Sequence, residues 1–307
     1  MTSTRGESKP PYRAGSRSPS IGRSRPWRAA SRPRSTTRVV PSDCWVGASS
    51  RPRWQQRLVS DRSHTEILRS EFERAAENFS NRTKGRFDKL GVVDFSRVDD
   101  GAKVLEVGAG TGNFLQLFAG VAGQLVGVDL TPAMLNKARM AFPEMDLMVG
   151  DGARLPLGSG SMDLATTAQT LHHVWEPLPV LKEMRRVTAE KGRVLIVDQV
   201  GTERYEEVLA MNELDVMRDP SHASSRPPSA LRTLLRVAGL RIAAERIVDE
   251  EHRLSDWMPE VEFPEDRIEK VKGFIDAHGD ATGMNFARVG DDYIFNRRRM
   301  MILAERA

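Results

Sequence analysis

A glycine-rich stretch near the middle of the chain follows directly on a short apolar run. Residues 104–107 are typical of a buried strand, and Gly108, Gly110 and Gly112 come next at alternate positions. Glycine permits positive φ angles and lets a ligand lie against the backbone, so a strand that ends in such a loop can hold a nucleotide-like cofactor. A tight turn also needs glycine for structural reasons alone, so the loop has to be weighed with its neighbours.

Glu106 distinguishes two classes of cofactor for this loop. The dinucleotide fingerprint is G-x-G-x-x-G, and its helix N-terminus receives a pyrophosphate. Here the third glycine comes one residue early, and Glu106 stands two residues before the first glycine, where its charge would oppose a pyrophosphate. The same charge suits the ammonium and sulfonium groups of S-adenosylmethionine. Asp129 ends the next apolar run, and a carboxylate there can accept both ribose hydroxyls in either class.

The elements that position these residues alternate regularly along the chain. Short apolar runs predict strands at residues 104–107, 125–128, 146–149, 163–167 and 193–197. Helical patterns lie between them at residues 112–120, 132–141 and 177–188. This alternation predicts βαβ units and a parallel sheet.

Segments outside the alternating core are expected on both sides of it. A capping box at residues 63–66 begins a first helix whose apolar stripe has spacings of four, three and four. Beyond residue 200 the pattern predicts an insertion at 201–228, a helix at 229–238, a strand at 241–248, a helix at 264–277 and a last strand at 300–304.

Five ordered motifs resemble the class I S-adenosylmethionine-dependent methyltransferases, most closely the ubiquinone/menaquinone C-methyltransferase-like (methyltransferase type 11 domain) group. They read EVGAGTG at residues 106–112, GVDLTPAML at 127–135, GDGARLPL at 150–157, LHH at 171–173 and EMRRVTAEKGR at 183–193. The resemblance covers about residues 64–200. It implies an α/β fold: a Rossmann-like, seven-stranded, mostly parallel sheet with helices on both faces and a last antiparallel strand.

The resemblance also implies S-adenosyl-L-methionine as the cofactor. By that resemblance Asp151 receives the adenine amino group, Leu130 and Ala153 pack on the adenine faces, and Gln169 lies near the methionine end. The expected cofactor site comprises Glu106, Gly108, Ala109, Gly110, Gly112, Asp129, Leu130, Asp151, Gly152, Ala153 and Gln169.

The acceptor is expected near the end of the fourth strand, where this fold opens. His173 is the candidate catalytic base, because histidine titrates near neutral pH. The alternative is that one histidine caps the next helix and the other fills the pocket wall. Phe79 either covers the methionine end or packs in the core. The expected pocket comprises Phe79, His172 and His222, with residues 63–100 and 201–228 as its cap.

Other polar clusters are open to simpler interpretations. Residues 297–299 are three consecutive arginines, which either steer an anionic acceptor or protect a hairpin edge by charge. No convincing set of metal ligands is visible in the sequence, so no metal is expected. The single cysteine, Cys44, excludes a disulfide framework within one chain.

The first 60 residues differ sharply from the rest in composition. They carry 13 basic and 2 acidic side chains, which leaves 33 basic and 40 acidic side chains for residues 61–307. Such Arg-, Ser- and Pro-rich sequence predicts disorder. It is a nucleic-acid arm, an organellar transit peptide, a solvated tail or translated sequence upstream of the true start. Residues 61–307 are expected to form one methyltransferase domain, cytoplasmic, because no apolar run approaches the roughly 20 residues of a membrane span.

Three functions compete for this sequence. The favoured function is methylation of a small molecule at carbon or oxygen. The alternatives are a nucleic-acid methyltransferase that uses the basic tail and a non-catalytic protein that binds the cofactor. Amino-directed nucleic-acid enzymes of this fold carry a proline-rich motif where residues 168–172 read AQTLH. Cytosine C5 enzymes need a cysteine near the site, and the only thiol is Cys44. We therefore expect a small-molecule acceptor and no nucleic-acid partner; the oligomeric state is not predicted.

Overall fold

The computed structural model describes residues 61–258 and 265–307, with only the backbone at residues 61–63, 77–82 and 265. The α-helices are α1 (Asp61–Thr83), α2 (Val92–Ser96), α3 (Pro132–Ala141), α4 (Pro177–Val187), α5 (Tyr205–Arg218), α6 (Pro228–Val237), α7 (Leu254–Trp257) and α8 (Glu265–His278). The strands are β1 (Ala102–Val107), β2 (Ala122–Asp129), β3 (Asp146–Val149), β4 (Met162–Ala168), β5 (Thr188–Val200), β6 (Leu240–Arg253), β7 (Ala287–Val289) and β8 (Asp292–Arg306). The predictions for residues 1–60 lie outside the described residues.

The strands form one mixed sheet in the order β3-β2-β1-β4-β5-β8-β6, and β7 pairs with β8. β1 runs parallel to both β2 and β4, whereas β8 runs antiparallel to β5 and β6. The predicted fold class is confirmed, with β7 as a short addition. The chain moves outward from β1 to β3 and then crosses back to β4, so a crevice opens outside the carboxyl ends of β1 and β4.

The sheet is buried on both faces, which explains why its strands read as continuous apolar runs. Successive side chains of a strand point to opposite faces. Leu105 packs in one core with Met184 of α4 and Leu235 of α6. Val104 packs in the other core with Phe114 and Phe118. β1 is therefore fixed from both sides, and its carboxyl end, where the glycine loop begins, is held firmly.

The prediction of a helix at residues 112–120 is wrong. A single 3-10 turn, Leu115–Phe118, takes its place. The Asn113 side chain donates a hydrogen bond to Thr83 Oγ1 (2.8 Å), and Gly101 N–H donates to Val121 O (2.7 Å). Because the chain is tied to α1 at Asn113 and must be in line with β2 by Val121, too few residues remain for a regular helix.

The region after β5 contains more structure than its sequence pattern predicted. The segment predicted as an insertion contains α5, and β6 and β8 pair from Leu240 and Arg306 out to Arg253 and Ile294. A third apolar core joins α5, α7, α8 and this β6–β8 ribbon, through side chains that include Leu214, Trp257, Val271, Ile275 and Phe295. In the described ranges, no helix combines the length and the apolar character that crossing a membrane requires.

Candidate cofactor and acceptor site

The glycine loop leaves β1 and bends toward the crevice. Gly110 has a φ angle of 53°, a left-handed conformation that favours glycine, and a Cβ placed on it would point into open space. Gly108 packs against the Thr170 side chain, and Gly112 packs beneath the loop against Phe142 and Met145. The loop therefore leaves the backbone at Gly110 open to a ligand.

A cavity of about 370 Å³ lies at the carboxyl ends of β1, β2 and β4. This volume falls in the range of small-ligand sites. One end is lined by residues of the glycine loop, the end of β2 and the loop after β3: Glu106, Gly108, Ala109, Gly110, Asp129, Leu130, Asp151, Gly152 and Ala153. The other end is lined by α1 and by the segment after β4: His64, Thr65, Leu68, Phe72, Gln169, Thr170, His173 and Trp175. Gly112 does not line it.

Glu106 places a buried carboxyl group in the wall of this cavity. Its pKa is raised well above the ordinary value, first by burial and then by the nearby Asp129. Its Oε2 atom makes no hydrogen bond within the described part of the chain. A buried acceptor without a donor is costly, and an ammonium group in the cavity would supply one. The residue thus fits the amino end of S-adenosylmethionine.

Asp129 is held in place by the glycine loop itself. Gly110 N–H and Thr131 N–H each donate to one of its carboxylate oxygens at 2.8 Å. Burial raises the pKa of Asp129, and these backbone hydrogen bonds oppose that shift. Each carboxylate oxygen can accept a further hydrogen bond. The geometry suits a pair of ribose hydroxyls.

The expected adenine end is more open. Asp151 is exposed, and its Oδ1 accepts a hydrogen bond from Ala153 N–H (2.8 Å), which leaves Oδ2 for a ligand. A Cβ on Gly152 would lie 2.7 Å from Val107 Cγ1. Glycine stands there because the loop packs directly on β1.

Gln169 directly follows β4 and has a backbone conformation that is unusual for its residue type. Its φ angle is 49°, and such left-handed backbone costs a residue other than glycine about 1 kcal/mol or more. Its backbone N–H donates to Val197 O (2.8 Å), whereas its side-chain Nε2 makes no hydrogen bond among the described residues. Strained backbone together with an unused donor marks Gln169 as a residue shaped for a ligand.

His173 lines the same end of the cavity. Its Nδ1 lies 3.0 Å from Ser221 O, and because a carbonyl only accepts, Nδ1 carries the hydrogen and Nε2 carries the lone pair. Burial, followed by the proximity of His172, lowers the pKa of His173 to about 4. The Phe72 ring meets the imidazole edge to face at 5.0 Å. His173 is therefore neutral at pH 7, with a basic nitrogen.

His172 and His222 lie behind His173. His172 Nδ1 is 2.6 Å from Asp198 Oδ1, and the backbone N–H groups of Leu171 and His172 donate to Asp198 Oδ2. His222 Nε2 is 2.8 Å from Asn212 Oδ1, and its pKa is lowered to about 3, mainly by burial. Neither histidine lines the larger cavity. His172 does line a smaller cavity beside it, together with His173, whereas His222 lines neither cavity.

The last expected pocket residue is Phe79. It lies in α1, but its side chain is outside the described residues. None of residues 201–228 lines the larger cavity, although Arg218, Asp219 and Ser221 border a smaller one beside it. Groups of three or more His, Cys, Asp or Glu side chains that could hold a metal do not occur in the described ranges.

The sequence reasoning missed two positioning residues. His64 Nε2 donates to His173 O (2.8 Å), and the His64 ring meets Trp175 edge to face at 5.4 Å. This contact attaches α1 to the segment after β4. Asp198, which holds His172, ends the apolar run of β5 as Asp129 ends that of β2. An acidic residue at the end of an apolar run, as at Asp129, is the sequence pattern that could have predicted a role for Asp198.

The fold and site define the class of this domain. Residues 105–196 match the family model described as "Methyltransferase domain". The five motifs predicted a class I S-adenosylmethionine-dependent methyltransferase domain, and this match over residues 105–196 agrees with that prediction and with S-adenosylmethionine as the cofactor.

Curated relatives and solved structures agree with this class. The chain is 36% identical over 107 residues to a demethylmenaquinone methyltransferase of Paenarthrobacter aurescens. The matched residues make up 35% of this chain and 42% of the relative. It is 30% identical over 125 residues to the uncharacterized methyltransferase YcgJ of Bacillus subtilis. That match makes up 39% of this chain and 49% of the relative. The chain thus matches less than half the length of these two relatives. The crystal structure of YcgJ has the same fold, with a TM-score of 0.68 at 21% identity over 72% of this chain and 99% of that one.

Proposed function

We propose that this protein transfers the methyl group of S-adenosylmethionine to a carbon or oxygen atom of a small-molecule acceptor. The observation that carries the proposal is the 370 Å³ cavity, which joins the glycine loop and Asp129 at one end to α1 and His173 at the other. Two relatives that are named demethylmenaquinone methyltransferases support a small-molecule acceptor. A site with both ends in one cavity allows transfer without movement of the cofactor.

Four side chains would hold the cofactor. Asp129 would accept the ribose hydroxyls, Glu106 would face the ammonium group, Asp151 would receive the adenine amino group, and Gln169 would lie at the methionine end. The bound cofactor supplies a methyl group activated by the sulfonium. The remaining chemistry is positioning and proton transfer by the residues of this chain.

The N-terminal helix would exclude water from the transfer point. Leu68 and Phe72 of α1 present apolar side chains to the cavity, and His64 attaches the helix to the segment after β4. Methyl transfer needs an in-line approach of the nucleophile, so a dry and fixed geometry supplies much of the rate. We propose residues 63–100, and residues 201–228 through the smaller cavity, as the cap of one domain at residues 61–307.

His173 would remove a proton where the acceptor arrives protonated. Its lone pair on Nε2 is available at neutral pH, because its Nδ1–H is engaged by Ser221 O and its pKa is low. We propose His173 as the general base for that step.

Calorimetric titration with S-adenosylhomocysteine tests the cofactor site. Asp129→Ala removes an acceptor of two hydroxyls and should weaken binding by about 1–3 kcal/mol, roughly 5- to 150-fold. The matched control is Asp146→Ala, an exposed carboxylate on β3 that accepts a hydrogen bond from Gln124; its affinity should equal that of the unaltered protein. Equal affinity for both variants would remove Asp129 from the site, and tighter binding of NADH would overturn the proposal.

A further inference from the structure

The segment at residues 219–226, between α5 and α6, packs against the segment at residues 171–175, which follows β4. Two backbone N–H groups of the first segment donate to His172 O (2.8 and 2.9 Å). The Arg226 guanidinium donates to backbone carbonyls of the second segment, those of Leu171, Val174 and Trp175. The first segment therefore fixes the backbone around His173.

Within residues 219–226, a chain of hydrogen bonds ends on the His173 imidazole. Ser221 Oγ–H donates to Asp219 Oδ1 (2.6 Å), so the hydroxyl hydrogen is already engaged. Ser221 Oγ lies 3.1 Å from His173 Nδ1, and Ser221 O lies 3.0 Å from the same nitrogen. Both oxygens therefore accept from Nδ1–H. All three side chains are buried, and one hydroxyl connects the Asp219 carboxylate to the imidazole.

Asp219 is the charged group that most favours a proton on His173. Burial raises the pKa of Asp219, but the nearby His173 and Arg218, followed by hydrogen bonds, hold it below its usual range, so this carboxyl group is an anion at neutral pH. Burial, followed by His172, lowers the pKa of His173 to about 4, and Asp219 has the largest of the effects that oppose this shift. A nearby carboxylate favours the imidazolium form of a histidine.

Other titratable side chains lie around the imidazole on the elements that pack against it. They include His64 of α1, His172, Asp198 of β5 and His222. The smaller cavity, of about 80 Å³, adds Glu71 of α1, Glu250 and His252 of β6, and arginines from α5, from β8 and from the segment after α1. His172 Nδ1 lies 2.6 Å from Asp198 Oδ1, so each of the two neighbouring histidines has a carboxylate of its own.

A carboxylate on the Nδ1 side of a histidine stabilises it mainly when that histidine takes a proton on Nε2. We propose that Asp219 and Ser221 are positioning residues for His173: the Ser221 carbonyl fixes the Nδ1–H tautomer, and the Asp219 carboxylate, through the Ser221 hydroxyl, stabilises the imidazolium that forms when Nε2 takes a proton from the acceptor. The bond between the acceptor atom and its proton breaks, the electron pair stays on that atom as the nucleophile, and Asp219 remains a carboxylate throughout. This inference rests on the proposed function and adds that the acceptor arrives with a proton on its nucleophilic atom.

Imidazole nitrogen NMR of the full chain, saturated with S-adenosylhomocysteine, tests this inference without an acceptor. The unaltered protein should show a titration midpoint for His173 near pH 4. Asp219→Asn should lower this midpoint by about one pH unit or more, because the charge that favours the imidazolium is lost while the shape of the side chain is kept. Asp266→Asn, an exposed acid of α8 that pairs with Lys270, is the matched control and should leave the midpoint unchanged.

Ser221→Ala separates the two parts of the chain. The backbone carbonyl remains, so the Nδ1–H tautomer of His173 should persist at pH 7. The hydroxyl link to the carboxylate is lost, so the Nδ1–H proton resonance should move upfield, as a weaker hydrogen bond requires. Ser161→Ala, which removes a hydroxyl that donates to Gly158 O directly before β4, is the control. This resonance is read at pH 7, so it carries the test for a variant that unfolds near pH 4.

Kinetics distinguish a positioning role from a purely structural one. With an acceptor found by screening extracts for S-adenosylhomocysteine release, Asp219→Asn should lower kcat about tenfold and leave the KM of the acceptor and the cofactor affinity within about twofold. The acid limb of its pH profile should move below pH 4, together with the NMR midpoint. Adding Ser221→Ala to Asp219→Asn should cost no more than about a further twofold, because both residues act through one histidine.

The outcomes separate this inference from the proposed function. An unchanged His173 midpoint in Asp219→Asn, or an unchanged kcat, overturns the role of the carboxylate while methyl transfer still stands. An Nδ1–H resonance that does not move in Ser221→Ala overturns the hydroxyl link. S-adenosylhomocysteine is titrated first in every sample, so a failure of the unaltered protein to bind it counts against the proposed function and is seen separately.

Discussion

At the scale of single residues, the site contains two kinds of polar group. Some buried atoms lack a hydrogen-bond partner, and others are held in place by hydrogen bonds to the backbone. Glu106 Oε2 and Gln169 Nε2 make no hydrogen bond among the described residues, whereas Asp129 and His173 are each held by backbone groups. A buried polar atom without a partner destabilises the empty protein by about 1–3 kcal/mol. The unsatisfied atoms therefore mark where a ligand binds, and the fixed ones set its orientation.

The protonation of His173 is a prediction at this scale. Folding lowers its pKa from 6.5 to about 4, so its neutral form is favoured and the stability that it contributes is lost as pH falls from about 6.5 toward 4. Nitrogen NMR of the imidazole should show the Nδ1–H tautomer and no protonation above about pH 5. His173→Gln identifies the signal. A titration midpoint near 6.5 would contradict the buried, neutral state.

The catalytic role of His173 is a separate prediction. With an acceptor found by screening extracts for S-adenosylhomocysteine release, His173→Gln should lower kcat by about 100-fold or more while cofactor affinity stays within twofold. The acid limb of the pH profile should fall near pH 4 in the unaltered protein and vanish in the variant. His278→Gln, an exposed histidine of α8, is the control. A raised KM with unchanged kcat would show that His173 only lines the pocket.

At the scale of elements, the sequence predicted the alternating core well and its surroundings poorly. α3 and β3 have the predicted bounds, because a proline at the first helical turn and a short apolar run define them locally. The turn at Leu115–Phe118 was predicted as a full helix, because its ties to Thr83 and Gly101 are tertiary contacts. β6 of the long β6–β8 ribbon is exposed or half-buried at nearly every position, so its sequence shows no strong apolar period.

The N-terminal helix gives a prediction about coupling between elements. Leu68 and Phe72 line the cavity, and His64 donates a hydrogen bond to His173 O in the segment after β4. S-adenosylhomocysteine should therefore slow hydrogen exchange of the α1 amides, and His64→Ala should speed it in the free protein. Amides of α8 are the internal control. Unchanged exchange in α1 on saturation would mean that this helix does not cover the ligand.

At the scale of the whole molecule, the sequence could bring the residues of the proposed cofactor end together in one crevice, and it could not do so for the proposed acceptor end. Glu106 and Asp129 lie at the carboxyl ends of the neighbouring strands β1 and β2, so strand order alone brings them together. The arginines of the smaller cavity come from α5, from the segment after α1 and from β8, more than 200 residues apart in sequence. No local sequence pattern predicts that these arginines lie close together in space. Three consecutive arginines on a strand are equally typical of a charged sheet edge.

The role of the first 60 residues is the last prediction. They hold a charge of +11, whereas residues 61–307 hold −7, so the basic character of the full chain, at +4, comes entirely from this segment. A chain that begins at Val59 should keep its melting temperature and its affinity for S-adenosylhomocysteine, because the described part of the chain supplies three apolar cores and two cavities from residues 64–304. Non-specific DNA binding by the full chain should fall steeply with salt and disappear in the shortened one. A large drop in melting temperature would show that the segment packs on the domain, and methyl transfer to DNA that depends on residues 1–60 would replace the small-molecule proposal.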